Sequence, residues 1–219
     1  MAKLVIGTDK TTGVPAIVKE VEVTPVEPYP LLSRVKDDSN NDVGIVCGYH
    51  TDANNVKYAV VCLDAQYRQN VGTNWLSSRV EVSNLPNYSG SSAGNVYQAT
   101  ETATFNCDKI LEQATADGLT SSMITECRSH SFTINGITYY GQVPNMNEML
   151  CILMHRTAIN TNDPSVSGIP VEASRSYWIS NQYDTNNGWR YNGTGRGGIT
   201  ESSKDYSCNT ITILEIPIN

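Results

Sequence analysis

The chain has 219 residues, 39% of them apolar and 17% charged, with a net charge of −7. That length can bury one good core with a small appendage. The acidic balance excludes a nucleic-acid binder that tracks phosphates with clustered Lys and Arg, and no basic stripe is present to grip an anionic membrane.

The apolar runs AVVCL (59–63) and MLCILM (149–154) are core-sized and too short to span a bilayer. The opening MAKLVIGTDKTTG has an apolar run of only four residues, so it does not read as a secretory signal. A surface rich in Tyr, Asn, Ser, Thr and Gly behind an intact Met1 suits a protein made in the cytoplasm and released by assembly.

Residues 1–30 read as an extended arm. The stretch AIVKEVEVTPVEPYP alternates apolar and polar residues, then meets Pro25, Pro28 and Pro30, which confine it to an edge strand or polyproline-like geometry. Such an arm needs a partner surface; the alternative is an ordinary first strand of the domain. From residue 31 the globular part begins. DDSNND (37–42) is a polar turn, and VGIVCGYH and KYAVVCL, joined by TDANN (51–55), read as a hairpin. The region 70–105 is polar and irregular, a surface excursion with NYSGSSAGN (87–95) as a loop.

A helix is expected over 108–116, capped by Asn106 or Asp108 and ended by Gly118. A second follows Pro144, where Asn145 and Glu148 form a capping box, so Glu148 reads as a cap and not as a catalytic acid. Residues 160–175 form a loop, and closing strands start at Tyr177. NQYDTNN (181–187) is a turn between strands and NGTGRGGIT (192–200) a hairpin tip.

Six cysteines permit three bridges in fifteen pairings. The apolar settings of Cys47, Cys62 and Cys151 favour reduced core thiols, with a bridge among Cys107, Cys127 and Cys208 as the alternative. Each histidine follows a cysteine closely: His50 after Cys47, His130 after Cys127, His155 after Cys151. Thiolate and imidazole are zinc ligands, but no repeated C-x-x-C knuckle accompanies them. No metal or other cofactor is therefore assigned. Calcium at 181–187 is a further alternative, since hard cations need clustered carboxylate and carbonyl oxygens.

YYGQVPNMNEMLCIL, SYWISNQYDTNNGWRY, the Gly-rich hairpin and TITILEIPI together resemble the C-type-lectin-like module of the DUF1566 and fimbrillin-associated type. There a short helix precedes a "YW … AW" strand pair, and FNCDKI (105–110) is similar to its first helix. The resemblance covers roughly 40–219 and implies an α+β fold that displays recognition loops. It places Trp178 and Trp189 in the core and offers Tyr183, Asp184, Asn187 and Tyr191 as ligand-binding residues. An enzymatic relative of the family uses paired cysteines, of which only Cys208 has a counterpart here, so no catalytic residue is carried over.

MAKLVIGTDKTTGVPAIVK in turn resembles the N-terminal anchoring segment on structural proteins of crAss-like bacteriophages. By that resemblance Gly7, Thr8, Asp9, Lys10, Thr11, Thr12, Gly13, Val14 and Pro15 would dock on the capsid. The expectation is a non-enzymatic virion protein, a head fibre or capsid decoration of trimeric build. Its lectin-like domain (31–219) would be exposed, with host surface glycan as a further partner. The alternatives are a tail receptor-binding protein and a bacterial cell-surface lectin or adhesin.

Overall fold

The structure, a computed structural model, describes residues 3–4, 21–22, 28–164, 170–193 and 198–218. The anchoring segment Gly7–Pro15 lies outside the described residues, as do residues 194–197 of the expected hairpin tip 192–200. Mixed helices and largely antiparallel sheets make the fold α+β, as expected.

In chain order the first strands are β1 (Lys3–Leu4), β2 (Val21–Glu22), β3 (Arg34–Lys36), β4 (Asp42–Thr51), β5 (Lys57–Leu63) and β6 (Gln69–Asn74). Helices α1 (Ala103–Ala116) and α2 (Ser122–Arg128) follow, then β7 (Ser131–Ile134), β8 (Ile137–Tyr140) and α3 (Met146–Thr161). The chain closes with β9 (Tyr177–Gln182), β10 (Asn187–Asn192), β11 (Gly198–Ser203), β12 (Ser207–Thr210) and β13 (Ile213–Ile218). One sheet has the order β13-β5-β4-β3 and is antiparallel throughout; the other runs β11-β10-β9-β12-β6, with β12 parallel to β9.

The expected hairpin of β4 and β5 forms the centre of the first sheet. Its turns are built by aspartates. Asp37 accepts from the amides of Ser39 and Asn41 at 2.9 and 2.8 Å, and Asp52 from those of Asn54 and Val56 at 2.8 and 2.9 Å. These are Asx turns, which replace lost backbone pairing at the bend. The hairpin is apolar on both sides because both are covered. Cys47, Val60 and Cys62 join a cluster with Met149 and Ile152 of α3, while Val46, Ala59, Val61 and Leu63 join Phe132 and Ile134 of the β7–β8 hairpin.

Helix α3 lies close on β4 because residue 48 has no side chain: a Cβ at Gly48 would sit 2.5 Å from Cys151 Sγ. Its start carries the expected capping box, with Asn145 accepting from the Glu148 amide at 3.0 Å and Glu148 accepting from the Asn145 amide at 2.7 Å. Beyond its end, Asp163 meets the Ala65 amide at 2.6 Å and Arg68 Nη2 at 3.2 Å. The ion pair is almost fully buried, which is tolerable because both charges are hydrogen-bonded.

Two expectations are corrected. The first helix starts at Ala103, five residues before the expected 108, because Thr102 caps it by accepting from the Phe105 amide at 3.0 Å. A second carboxylate reinforces that end: Glu215 of β13 accepts from the amides of Ala103 and Thr104, both at 2.8 Å. Asn106 is therefore inside the helix and buried. The region 70–105 is also no mere surface excursion. It contributes β6, and Trp75, Leu76, Val82 and Leu85 are buried in a cluster with α1, α2 and Trp178. Four large apolar side chains scattered among polar residues carry no period, so the region's core role is invisible to patterning. Most of the expected loop 87–95 belongs to a 3₁₀ segment, Gly90–Gln98.

Helix α2 and the β7–β8 hairpin were not anticipated. The hairpin turn Asn135–Gly136 has φ of 52° and 75°, the paired positive values of a type I′ turn, and the Asn-Gly dipeptide is its sequence signal.

Candidate functional site

The closing sheet is covered on both faces. Tyr177, Ile179 and Trp189 join the cluster under α3, whereas Trp178 and Cys208 join the one formed with α1, α2 and Trp75. Alternation along β9 sends neighbouring tyrosine and tryptophan to opposite faces. Both Trp178 and Trp189 are core residues, as the resemblance implies. Trp178 Nε1 donates to Thr73 O at 2.7 Å and Trp75 Nε1 to Ile179 O at 3.0 Å, so the two indoles cross-link β6 with β9.

The four residues expected to bind ligand fall into two separate arrangements. Asp184 and Asn187 are brought together in the β9–β10 turn, where one Asp184 oxygen accepts from the amides of Asn186 and Asn187, both at 2.8 Å. Asn187 Nδ2 donates to the same carboxylate at 3.1 Å, so this pair is engaged in shaping its own turn. Tyr183 packs edge-on against Trp189, with ring centres 5.0 Å apart. Tyr191 stacks on Tyr177 at 6.5 Å and donates its hydroxyl to Ala173 O at 3.0 Å. Both tyrosines are partly buried against the cluster under α3.

The cysteines and histidines are placed apart in function. All six thiols are free, and five are buried. Burial pushes the thiols up, that of Cys127 to about 12, which leaves them protonated and poorly nucleophilic. Cys47 Sγ donates to Val60 O at 3.3 Å, and His155 Nδ1 lies 2.8 Å from the carbonyl of Cys47 and not from its sulfur. His50 Nε2 lies 3.3 Å from Thr100 O, and His130 packs edge-on against Tyr67. Among the described residues no three His, Cys, Asp or Glu side chains are grouped to hold a metal.

A feature the sequence reading passed over lies beside Tyr191. Arg190, between Trp189 and Tyr191, points to the other side of β10 and borders a cleft of about 320 Å³. The cleft is lined by Gly72, Ser174, Arg175, Ser176, Tyr206, Ser207, Cys208 and Asn209 as well. Arg190 reaches Cys208 Sγ at 3.7 Å, and its guanidinium lies 5.1 Å from the centre of the Tyr206 ring. The signal was a lone arginine within an aromatic strand whose alternation sends it to the face opposite Trp189 and Tyr191.

No family model matches the chain, and the curated proteins contain no match to it either.

Proposed function

We propose that this chain is a bacteriophage virion structural protein, a capsid-attached head fibre or decoration protein without enzymatic activity. In this reading residues 1–30 anchor the chain, and three copies present the domain 31–219, which has the C-type-lectin-like character its motifs resemble. Its location is the virion, after synthesis in the host cytoplasm.

The observation that carries the reading is the junction between arm and domain. Leu31 and Leu32 are 45% and 38% exposed, and Leu32 has a φ of 63°. A left-handed leucine costs about 1–2 kcal/mol, and two adjacent exposed leucines add nothing to the domain's own core. Backbone strain of this kind persists where the surrounding structure holds it in place, and it clusters at functional sites. The junction is also held firmly: Tyr49 donates to Tyr29 O at 2.8 Å, Asn135 Nδ2 to the Tyr29 hydroxyl at 3.0 Å, and the Leu32 amide to Val46 O at 2.8 Å. A pinned junction with an apolar pair at its surface suits a domain that is seated on a larger assembly. The free, buried thiols and separately occupied histidines support a display role over a Cys-His catalyst.

The test is immunogold labelling of purified particles with antibody raised against residues 40–219. Gold over the capsid supports the reading, and unlabelled particles overturn it. Gold confined to the tail tip would transfer the chain to receptor binding. Deleting residues 2–28 should then empty the particle of this protein while the domain keeps its fold; retained incorporation would refute the anchoring role of the arm.

A further inference from the structure

We propose that the cleft beside Arg190 is a binding site for an acidic saccharide residue, one that carries a carboxylate on a polyhydroxylated ring. The inference goes beyond attachment to a particle and rests on the cleft alone.

Charge selects the class of ligand. In a chain of net charge −7, the charged side chains lining this cleft among the described residues are two arginines, Arg175 and Arg190. Arg175 is held by Glu172, with Nε 2.9 Å from Oε2 and Nη2 3.1 Å from Oε1. Arg190 has no carboxylate partner among the described residues. Its Nη1 meets only a sulfur, and its Nε is buried with no acceptor at all. A guanidinium at the border of a cleft without a carboxylate partner is a ready counterpart for an incoming oxyanion.

Geometry narrows the choice. The Arg190 guanidinium carbon lies 5.1 Å from the centre of the Tyr206 ring, within cation–π range, and a guanidinium meets a carboxylate in a bidentate pair through its N–H edge. Around the rim Ser174 donates to Glu172 Oε2 at 3.4 Å, Ser176 to Asn192 Oδ1 at 3.2 Å and Asn209 Nδ2 to the Ser176 carbonyl at 3.2 Å, so the oxygens of these side chains and of Ser207 are acceptors for the hydroxyls of a sugar. Ser174 and Ser207 are exposed, so the mouth is open to solvent. The volume of about 320 Å³ suits a single ring and not a long oligomer.

The measurement is a ¹H–¹⁵N NMR titration of the full chain with sodium D-glucuronate, with D-glucose and inorganic phosphate as parallel probes, each to roughly 10 mM, a range that reveals millimolar affinity. Expected are shifts at the Arg190 Nε–H and at the amides of Tyr206, Ser207 and Asn209 with glucuronate, and none with glucose. Arg190→Gln should weaken the response about tenfold, the scale of one lost charge-assisted pair. Ser207→Glu, a change at an exposed residue that introduces a repelling carboxylate, should do the same in a chain whose spectrum is otherwise unchanged. Shifts elsewhere only, an equal response to glucose, or undiminished binding by Ser207→Glu would overturn the proposal. A response to phosphate as strong as that to glucuronate would overturn the saccharide assignment. Each of these results stands whether or not the protein is found on a particle.

Discussion

The ammonium nitrogen of Lys204 lies 4.8 Å from the centre of the Trp75 ring, and both side chains are fully buried. Its donors meet Val80 O at 2.7 Å, Gln182 Oε1 at 2.5 Å and Thr185 O at 3.1 Å. One cation therefore ties the segment after β6 to the end of β9 and to the β9–β10 turn. A Cβ at Gly188 would come 2.8 Å from the Trp75 ring, so the indole also requires a glycine on β10.

Desolvation pulls the Lys204 ammonium down to about 7, against the opposing pull of Asp184 and Glu81. The unfolded chain holds this proton up to about 10.5. Between those values the unfolded state binds the extra proton, so this group's contribution to stability rises with pH across the window. Lys204→Met should lose that slope between pH 7 and 9 in urea unfolding. At neutral pH it should cost about 2–4 kcal/mol, because three buried oxygens lose their donor. A variant as stable as the parent would mean that the lysine is incidental.

Glu148 and Glu215 meet where the starts of α3 and α1 converge. Glu148 Oε1 is buried with no donor of its own, beside the Glu215 carboxylate that caps α1. Burial first, and then Glu215, pushes the Glu148 carboxyl well above its usual range, so it keeps a proton that it can donate to Glu215. A raised folded-state value gives stability that is fully present below the unfolded value of 4.5 and is lost as pH climbs towards the folded one. Glu148→Gln, which mimics the protonated acid, should match the parent at pH 4 and exceed it at pH 8. Equal melting profiles across that range would show that no proton is shared.

Gly48→Ala should destabilise the domain by about 1–3 kcal/mol, since the added methyl overpacks the seam between β4 and α3. The clash is with Cys151 Sγ at 2.5 Å and its Cβ at 2.7 Å. Cys151→Ala in the same chain should recover much of the loss, and a double-mutant cycle of thermal melts reads the coupling. Additive effects would place the strain elsewhere.

Leu32→Gly should remove left-handed strain and stabilise the isolated domain by up to about 1 kcal/mol. If the junction seats the domain on a particle, the same change should lower incorporation, which quantitative blotting of purified particles would detect. Gain of stability with full incorporation would leave the strained leucine without that role.

With five thiols buried and Cys151 half-buried, a thiol reagent at pH 8 should modify no more than one cysteine before unfolding and all six after it. Mass spectrometry of the labelled chain gives the count, and rapid labelling of two or more would contradict the packing described here.

Much of the frame was legible because its signals are local. The Asp37 and Asp52 turns, the β4–β5 hairpin and the Asn145–Glu148 capping box each lie within a few residues of chain. The start of α1 was misjudged because part of its capping comes from Glu215, 112 residues away from the amide it meets at Ala103. Trp75 gave no periodic signal, and its burial depends on Gly188 and Ile179 across the fold.

The candidate site divides in the same way. Alternation in WRY could say that Arg190 leaves the face of Trp189 and Tyr191, and composition could say that a carboxylate-rich chain has few cations to spare. Whether Arg190 met an acid or faced an open cleft was decided only when β12 came to lie beside β9, bringing Tyr206 and Cys208 within its reach. The sequence by itself determined the β4–β5 hairpin and the α3 cap, because turn and cap are written in neighbouring residues. Tertiary structure alone decided which charges were left without partners, because pairing depends on distances between strands far apart in the chain.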